Sequence, residues 1–178
     1  MKSKNETNRL VKECIATALI ELMKNKDFNS ITITDITRKA GVSRMAYYRN
    51  YSSKEDILNQ YMDEIGNAIH ERISKKITRN ELQEYYQNLF EQLGAHRDLG
   101  ITTHRAHLAE LILRHINKNM TLTFPPEGCG TKERYRHVYL AGAFYNVLME
   151  WVKSGMQESS AEMAHICCEM TCMGCNIS

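Results

Sequence analysis

The sequence has little of what interrupts helices and nothing that would span a membrane. Its only two prolines are adjacent, at Pro125 and Pro126, so the chain on either side can be helical without a proline interruption. No stretch approaches the roughly 18 consecutive apolar residues of a membrane span, and the first thirty residues lack an apolar signal core followed by a cleavage site. We therefore expect an all-α cytoplasmic protein without a membrane partner.

Motifs of catalysis and of cofactor binding are also missing. The chain has no Walker loop, dinucleotide fingerprint, nucleophile elbow or HExxH pair, so the sequence predicts neither an enzyme nor a cofactor. His104, His107 and His115 have no carboxylate or thiol at a matching spacing, which is more typical of core or pocket-lining groups than of metal ligands.

The six cysteines lack the paired CxxC spacing of a zinc finger, and we expect free thiols in a reducing compartment. Four of them cluster near the end of the chain, and three of these share one helical face. Their outer pair is separated by about 10 Å of helical rise, too far for one ion to bridge within a single straight helix. Two interpretations of these residues stay open. They are either side chains that pack in the core or interface, or a sensor of thiol oxidation or metal, and they are Cys167, Cys168, Cys172 and Cys175.

The charge is small but unevenly distributed. The net charge is +2, yet residues 1–61 hold 11 Lys and Arg against 7 Asp and Glu, while residues 62–178 hold 12 against 14. A basic N-terminal third is typical of a module that binds phosphates.

Helical periodicity and caps organise that N-terminal third. Apolar side chains recur at i, i+1, i+4 and i+5 over residues 8–24, which predicts a first helix, and Phe28 anchors the turn after it. Thr32 with Asp35 has the pattern of a capping box, which predicts the start of a second helix. Gly41 suits a left-handed helix end, and Ser43 then caps a third helix.

A cap at Ser53 opens a long helix that we expect to span residues 54–75 and to link two domains. Apolar stripes predict further helices downstream, and the prolines and glycines predict a loop over residues 117–131. The segment 132–153 is apolar on nearly all sides and is followed by a last helix over 160–174. One small subunit has few elements to cover both, so we expect a self-complementary interface of paired helices in a homodimer.

Residues 33–58 resemble the DNA-binding signature of the TetR family of bacterial transcriptional regulators. The order Asp-Ile, Ala-Gly-Val-Ser, Tyr-Tyr, Tyr, Ser-Lys-Glu and Leu is reproduced without gaps. A weaker resemblance, over residues 140–155, is to the dimerisation helix of short members. The resemblance implies a helix-turn-helix DNA-binding domain over 1–53 and a helical regulatory, ligand-binding and dimerisation domain over 54–178, in which the region 75–135 lines the effector pocket.

In a helix-turn-helix the second helix of the pair enters the major groove. Arg44 is suited to a bidentate contact with guanine, and Met45 and Ala46 to contact with thymine methyl groups. Tyr47 lies beside them, although it and Tyr51 are also candidates for the core. By resemblance, Thr34 reaches an outer base. We expect phosphate contacts from Thr32, Ser43, Tyr48 and Lys54, with Arg49 and Arg38 as further candidates that could equally be solvated.

For the dimer interface the sequence predicts residues of the two last helices, namely Tyr139, Gly142, Tyr145, Leu148, Trp151, Met163, Ile166 and Met170. Ligand-binding residues cannot be named from the sequence. The family resemblance implies a repressor that leaves its double-stranded operator when a small-molecule effector binds. Two alternatives stay open: an activator controlled by a protein partner, which would have a filled core and an exposed apolar groove, and a sensor that uses the C-terminal cysteines.

Overall fold

The computed structural model describes residues 4–70, 79–123 and 130–175, and these residues form nine α-helices and no strand. The all-α prediction is confirmed. None of the helices in these ranges is long and apolar enough to cross a membrane. The helices are α1 (Lys4–Met23), α2 (Ile33–Ala40), α3 (Arg44–Asn50), α4 (Lys54–His70), α5 (Arg79–Ala95), α6 (Arg97–Arg105), α7 (Ala109–Thr123), α8 (Thr131–Lys153) and α9 (Ser160–Cys175).

The chain divides into two compact units between Asp63 and Glu64. The division lies within α4, ten residues beyond the boundary at residue 53 that the sequence predicts. Because α4 runs through the division without a break, it is the covalent link between the units. Of the linking helix predicted over 54–75, residues 71–75 lie outside the described ranges.

The N-terminal unit is a three-helix bundle with the start of α4 added to it. α1 packs against both α2 and α3, and the turn at Phe28–Ser30 buries the Phe28 ring, as predicted. The centre of the unit consists of side chains with at most 1% of their surface exposed, namely Ile15, Leu19, Ile36, Tyr47, Ile57 and Leu58. Burial of this aliphatic and aromatic surface is the main force that holds short helices such as α2 and α3 together.

The C-terminal unit is built from two packed helix pairs, α5 with α9 and α7 with α8, and α6 also packs on α8. An aromatic cluster, defined here as Tyr86, Phe90, Phe144 and Trp151, joins α5 to α8. Phe90 is at its centre, with ring centroids 5.2 Å from Trp151 and 6.0 Å from Phe144. Aromatic pairs at these separations add to the free energy of burial itself.

The structure corrects the predicted loop over residues 117–131, because α7 continues to Thr123. The polar residues of this segment suggest a loop in the sequence, but in the structure their hydroxyls donate to carbonyls one turn earlier in the same helix. Thr121 Oγ1 donates to the Asn117 carbonyl and Thr123 Oγ1 to the Asn119 carbonyl. Met120 and Thr123 are buried, so tertiary packing keeps this segment helical. Residues 124–129 lie outside the described ranges.

Two features of the C-terminal unit were not predicted. α6 contains two buried threonines, Thr102 and Thr103, whose hydroxyls donate to carbonyls one turn earlier. α9 begins with a capping box in which Ser159 and Glu162 each accept a backbone N–H of the other. The Ser159 hydroxyl and then its backbone N–H donate to the Glu162 carboxylate and hold its pKa below the usual value. The Ser-x-x-Glu spacing was a readable signal for this cap.

Candidate nucleic-acid interface

The predicted capping box at the start of α2 is confirmed. Thr32 Oγ1 accepts the Asp35 N–H at 3.1 Å, and Asp35 Oδ2 accepts the Thr32 N–H at 3.0 Å. Lys26 Nζ donates to Asp35 Oδ2 at 2.7 Å, and this bond is the main cause of a pKa for Asp35 far below its usual value. The carboxylate therefore stays charged at the positive end of the α2 dipole and fixes the orientation of the helix start.

A left-handed residue and a second cap set the angle between α2 and α3. Gly41 has φ of 67°, and the N–H of Val42 donates to the Thr37 carbonyl across the turn. Ser43 Oγ then accepts the Ala46 N–H at 3.1 Å and starts α3. Both predicted positions are confirmed, and the geometry is that of a helix-turn-helix.

Alanine at position 41 is expected to lower the free energy of unfolding by about 1–2 kcal/mol, because a Cβ disfavours positive φ even where space is available. No atom lies within 4 Å of a Cβ built at Gly41, so the loss would report backbone strain alone. The measurement is a urea titration followed by circular dichroism. Gly130→Ala is the control, since that glycine also has open space but φ of −75°. Equal losses in the two variants would contradict the assignment of strain to Gly41.

α3 presents its first turns to solvent. Arg44 and Arg49 are exposed, and Met45 has 73% of its surface exposed, the largest fraction among the exposed large apolar side chains in the described ranges. Arg44 Nη2 donates to Tyr48 Oη at 3.3 Å, and the guanidinium carbon is 6.0 Å from the centre of the Tyr48 ring. The two side chains thus hold each other in place on the exposed face.

Tyr47 is corrected from a base contact to a core residue. Its side chain is fully buried, and its ring packs edge-on against Tyr48 at 5.3 Å and beside Tyr51 at 6.1 Å. Burial raises the pKa of Tyr47 to about 12, so the phenol stays neutral. Adjacent side chains on a helix point about 100° apart around its axis. Tyr47 therefore faces the core while Tyr48, with 51% of its surface exposed, faces solvent.

The predicted role of Lys54 as a phosphate contact is also corrected. Its ammonium group donates to three backbone carbonyls, those of Phe28, Asn29 and Ile31, at 2.5–3.2 Å, and it lies 4.6 Å from the centre of the Phe28 ring. The side chain therefore closes the turn between α1 and α2 and is not directed toward a phosphate. Arg38 is exposed but donates to Asp35.

The remaining residues predicted to contact DNA lie at the starts of α2 and α3. The side chains of Thr32, Thr34 and Ser43 are exposed and Ala46 is half-buried. Together with the exposed side chains of α3 they make up the face that the sequence predicts to contact DNA. It is called the DNA face below and consists of Thr32, Thr34, Ser43, Arg44, Met45, Ala46, Tyr48 and Arg49.

In the C-terminal unit, part of the predicted dimer interface is corrected. Leu148, Trp151 and Met163 are buried within one subunit, because α6 and α7 pack on α8, Phe90 of α5 packs on Trp151, and α5 packs on α9. Tyr139, Ile166 and Met170 are exposed, and Gly142 and Tyr145 are half-buried. Two further exposed side chains, Tyr135 and Val138, were missed, although their i, i+3, i+4 spacing with Tyr139 was visible. The exposed apolar face is defined here as Tyr135, Val138, Tyr139, Ile166 and Met170.

The C-terminal unit also holds a cavity of about 420 Å³ between α5, α7, α8 and α9. Most of its wall is apolar, and the polar part includes a buried hydrogen bond of 2.7 Å between Tyr86 Oη and Thr171 Oγ1. The apolar wall consists of Met120, Leu140, Phe144, Val147, Cys167 and Met170.

Of the four C-terminal cysteines, those whose side chains the structure describes are buried or half-buried. Cys167 and Cys168 are buried, Cys172 is half-buried, and the Cys175 side chain lies outside the described part of the chain. Burial, with a smaller effect of Cys168, raises the pKa of Cys167 to about 12, so this thiol is neutral and a poor nucleophile. Of the histidines, His115 is buried, His104 half-buried and His107 exposed. Within the described ranges, no three His, Cys, Asp or Glu side chains are grouped to hold a metal ion.

Two family models match the sequence. The one described as "Bacterial regulatory proteins, tetR family" matches residues 15–61, which contain α2 and α3, and the one described as "Transcriptional regulator C-terminal region" matches residues 71–172. The chain belongs to the TetR family. In this TetR-family transcriptional regulator the helix-turn-helix, the element that enters the DNA groove in such proteins, is the α2–α3 pair.

Similar proteins agree with this assignment of the TetR-family regulator. The uncharacterized HTH-type transcriptional regulator YxbF of Bacillus subtilis (strain 168) is 37% identical over 60 residues, which are 32% of this chain and 16% of that relative. This chain thus spans only a small part of the length of that curated relative.

Two solved structures have the same fold. The "dihydroxyacetone kinase operon activator DhaS" is 15% identical with a TM-score of 0.65, covering 94% of this chain and 97% of its own. FadR from Bacillus subtilis in complex with stearoyl-CoA is 17% identical with a TM-score of 0.63, covering 91% of this chain and 98% of its own. At these identities the likeness is one of fold.

Proposed function

We propose that this TetR-family regulator is a homodimeric repressor that a small-molecule effector releases from its operator. The cavity in the C-terminal unit carries the proposal. A volume of about 420 Å³ lies within the range of small-molecule sites, and a mostly apolar wall with few polar groups is their usual composition. A regulator controlled only by a protein partner has no need of an apolar cavity of this size.

The DNA face supports sequence-specific binding. Arg44 and Met45 project from the first turn of α3, where a recognition helix contacts base edges. The exposed hydroxyls of Thr32, Ser43 and Tyr48 surround them and suit phosphate oxygens. Repression then requires only that the bound protein occupy the operator, whereas activation requires a further surface for the transcription machinery.

The exposed apolar face on α8 and α9 supports a homodimer. Five of the nine exposed large apolar side chains in the described ranges belong to it. A second copy would cover this face with the same residues, which satisfies the self-complementarity of a two-fold interface. Two recognition helices would then be held at one separation, as a palindromic operator requires.

Release requires that the effector bind more tightly to a dimer whose recognition helices no longer match the operator. α7 offers a route from cavity to linking helix. Met120 lines the cavity, and its neighbour Asn119 contacts α4 at Gly66 so closely that a Cβ there would lie 2.8 Å from Asn119 Oδ1. A ligand that displaces Met120 would therefore shift the contact on α4.

DhaS favours a second candidate, an activator of an operon, since that structure is an operon activator with the same fold over nearly the whole chain. A thiol sensor receives less support, because Cys167 is buried with a raised pKa.

The test begins with selection of duplexes from a random library, followed by titration of the enriched duplex at two salt concentrations. We expect saturable binding by two chains per duplex that weakens steeply with salt. Tyr139→Lys, at a side chain 72% exposed, is expected to sediment as a monomer and to lose most of its affinity for the duplex.

Leu122→Lys is the matched control, because Leu122 is exposed on α7 and outside the exposed apolar face. Dimeric Tyr139→Lys protein would contradict the interface. For the regulatory outcome, a reporter under the enriched duplex should be repressed by the wild-type protein, and activation of that reporter would favour the second candidate.

A further inference from the structure

We infer that the cavity between α5, α7, α8 and α9 takes an uncharged, mainly apolar molecule that carries a single hydroxyl or carbonyl group. The inference rests on the proposed function, since it specifies the chemical class of the effector. It follows from three properties of the cavity: its apolar wall, the buried part of its lining at Tyr86 and Thr171, called the closed end here, and the exposed part at Tyr139 and Met170, called the mouth.

The wall offers no partner to a charged group. Among the described residues that line the cavity, none has an ionised side chain. Cys167, the one acidic group of the apolar wall, stays a neutral thiol because burial raises its pKa to about 12. A carboxylate or an ammonium group inside this wall would lose its hydration without gaining an opposite charge.

The closed end has a polar pair of hydroxyls. Tyr86 and Thr171 are both buried, and their oxygens are 2.7 Å apart. Hydroxyls both donate and accept, so the pair can rearrange to bond one neutral hydroxyl or carbonyl group. A molecule that is apolar throughout would gain nothing from this pair.

The mouth opens at Tyr139 and Met170, whose side chains are 72% and 58% exposed. Both belong to the exposed apolar face that a second copy covers in the proposed homodimer. A charged head group left at the mouth would then be trapped against apolar side chains instead of water. Wall, closed end and mouth therefore all favour an uncharged ligand.

The experiment uses the full chain and a neutral fluorescent probe, N-phenyl-1-naphthylamine, with three competitors of equal chain length. 1-Decanol, decanoate and decyltrimethylammonium each have a chain of ten carbons and carry a neutral, a negative and a positive head group. We expect decanol to displace the probe at roughly tenfold lower concentration than either ion at neutral pH. Equal or better displacement by an ionic competitor would overturn the inference, as would failure of the wild-type protein to bind the probe.

Two adjacent tyrosines provide a matched pair of variants. Tyr86→Phe removes the hydroxyl at the closed end and is expected to weaken decanol binding about threefold to tenfold relative to the wild type. Tyr85→Phe removes an equally buried hydroxyl, which bonds Thr123 and does not line the cavity, and is expected to bind decanol as the wild type does. Equal effects of the two variants would count against the assigned polar end.

DNA binding separates this inference from the proposed function. If decanol binds with the expected preference but leaves the affinity for the selected duplex unchanged, the ligand class stands and release by an effector is refuted. If an ionic compound binds better and releases the duplex, release by an effector stands and the ligand class is refuted.

Discussion

Replacing Phe90 by alanine is expected to lower the free energy of unfolding by about 3–5 kcal/mol, the largest effect on stability that we predict. Phe90 is fully buried at the centre of the aromatic cluster, and it contacts rings of both α5 and α8. The substitution removes these ring contacts and leaves a space that the packed helix pairs can close only in part.

The measurement is urea denaturation followed by far-ultraviolet circular dichroism at one fixed protein concentration, because dimerisation makes stability depend on concentration. Leu122→Ala is the control, since that leucine is 54% exposed and its loss should change the free energy by less than about 0.5 kcal/mol. A change below about 1 kcal/mol in Phe90→Ala would mean that the aromatic cluster is not the packed centre of the unit.

Local chemistry made the helix boundaries of the N-terminal unit predictable. Thr32 with Asp35, Gly41 and Ser43 each act through hydrogen bonds or backbone angles within a few residues, and all were located from the sequence. The role of Lys54 was predicted wrongly because its contacts are not local. Its three carbonyl partners lie 23 to 26 residues earlier in the chain, and only the folded turn brings them together.

In the C-terminal unit, helix packing determines which side chains are buried, and this cannot be read from sequence periodicity. Residues 138–152 of α8 are apolar on nearly every side. The sequence therefore predicts that this part of the helix is covered, but not which side its own subunit covers. The structure assigns Trp151 and Leu148 to the core and Tyr139 to the surface because of where α5 and α6 pack. The cavity was beyond sequence analysis, since its wall combines residues from Tyr86 to Thr171 on four helices.

Loss of the Arg44 side chain is expected to have the largest effect on DNA recognition. Arg44→Ala should weaken binding to the selected duplex by roughly 5-fold to 150-fold for each half-site, which corresponds to the 1–3 kcal/mol of a bidentate contact with guanine. It should also relax the preference at one base pair of each half-site. The Tyr48 hydroxyl and ring hold the guanidinium in place before DNA is bound, so little ordering is needed on binding.

The pattern across sequences separates base reading from phosphate binding. Arg49→Ala removes the same charge from the far end of α3 and, as a phosphate contact, should weaken all duplexes nearly equally and reduce the salt slope by about 2, one for each subunit of the dimer. Arg44→Ala should instead weaken the selected duplex most and leave the affinity for random duplexes much closer to that of the wild type. Titrations of both variants on selected and scrambled duplexes measure the difference. Uniform weakening by Arg44→Ala would assign Arg44 to the phosphates and leave Met45, the most exposed apolar side chain of α3, as the remaining candidate for reading bases.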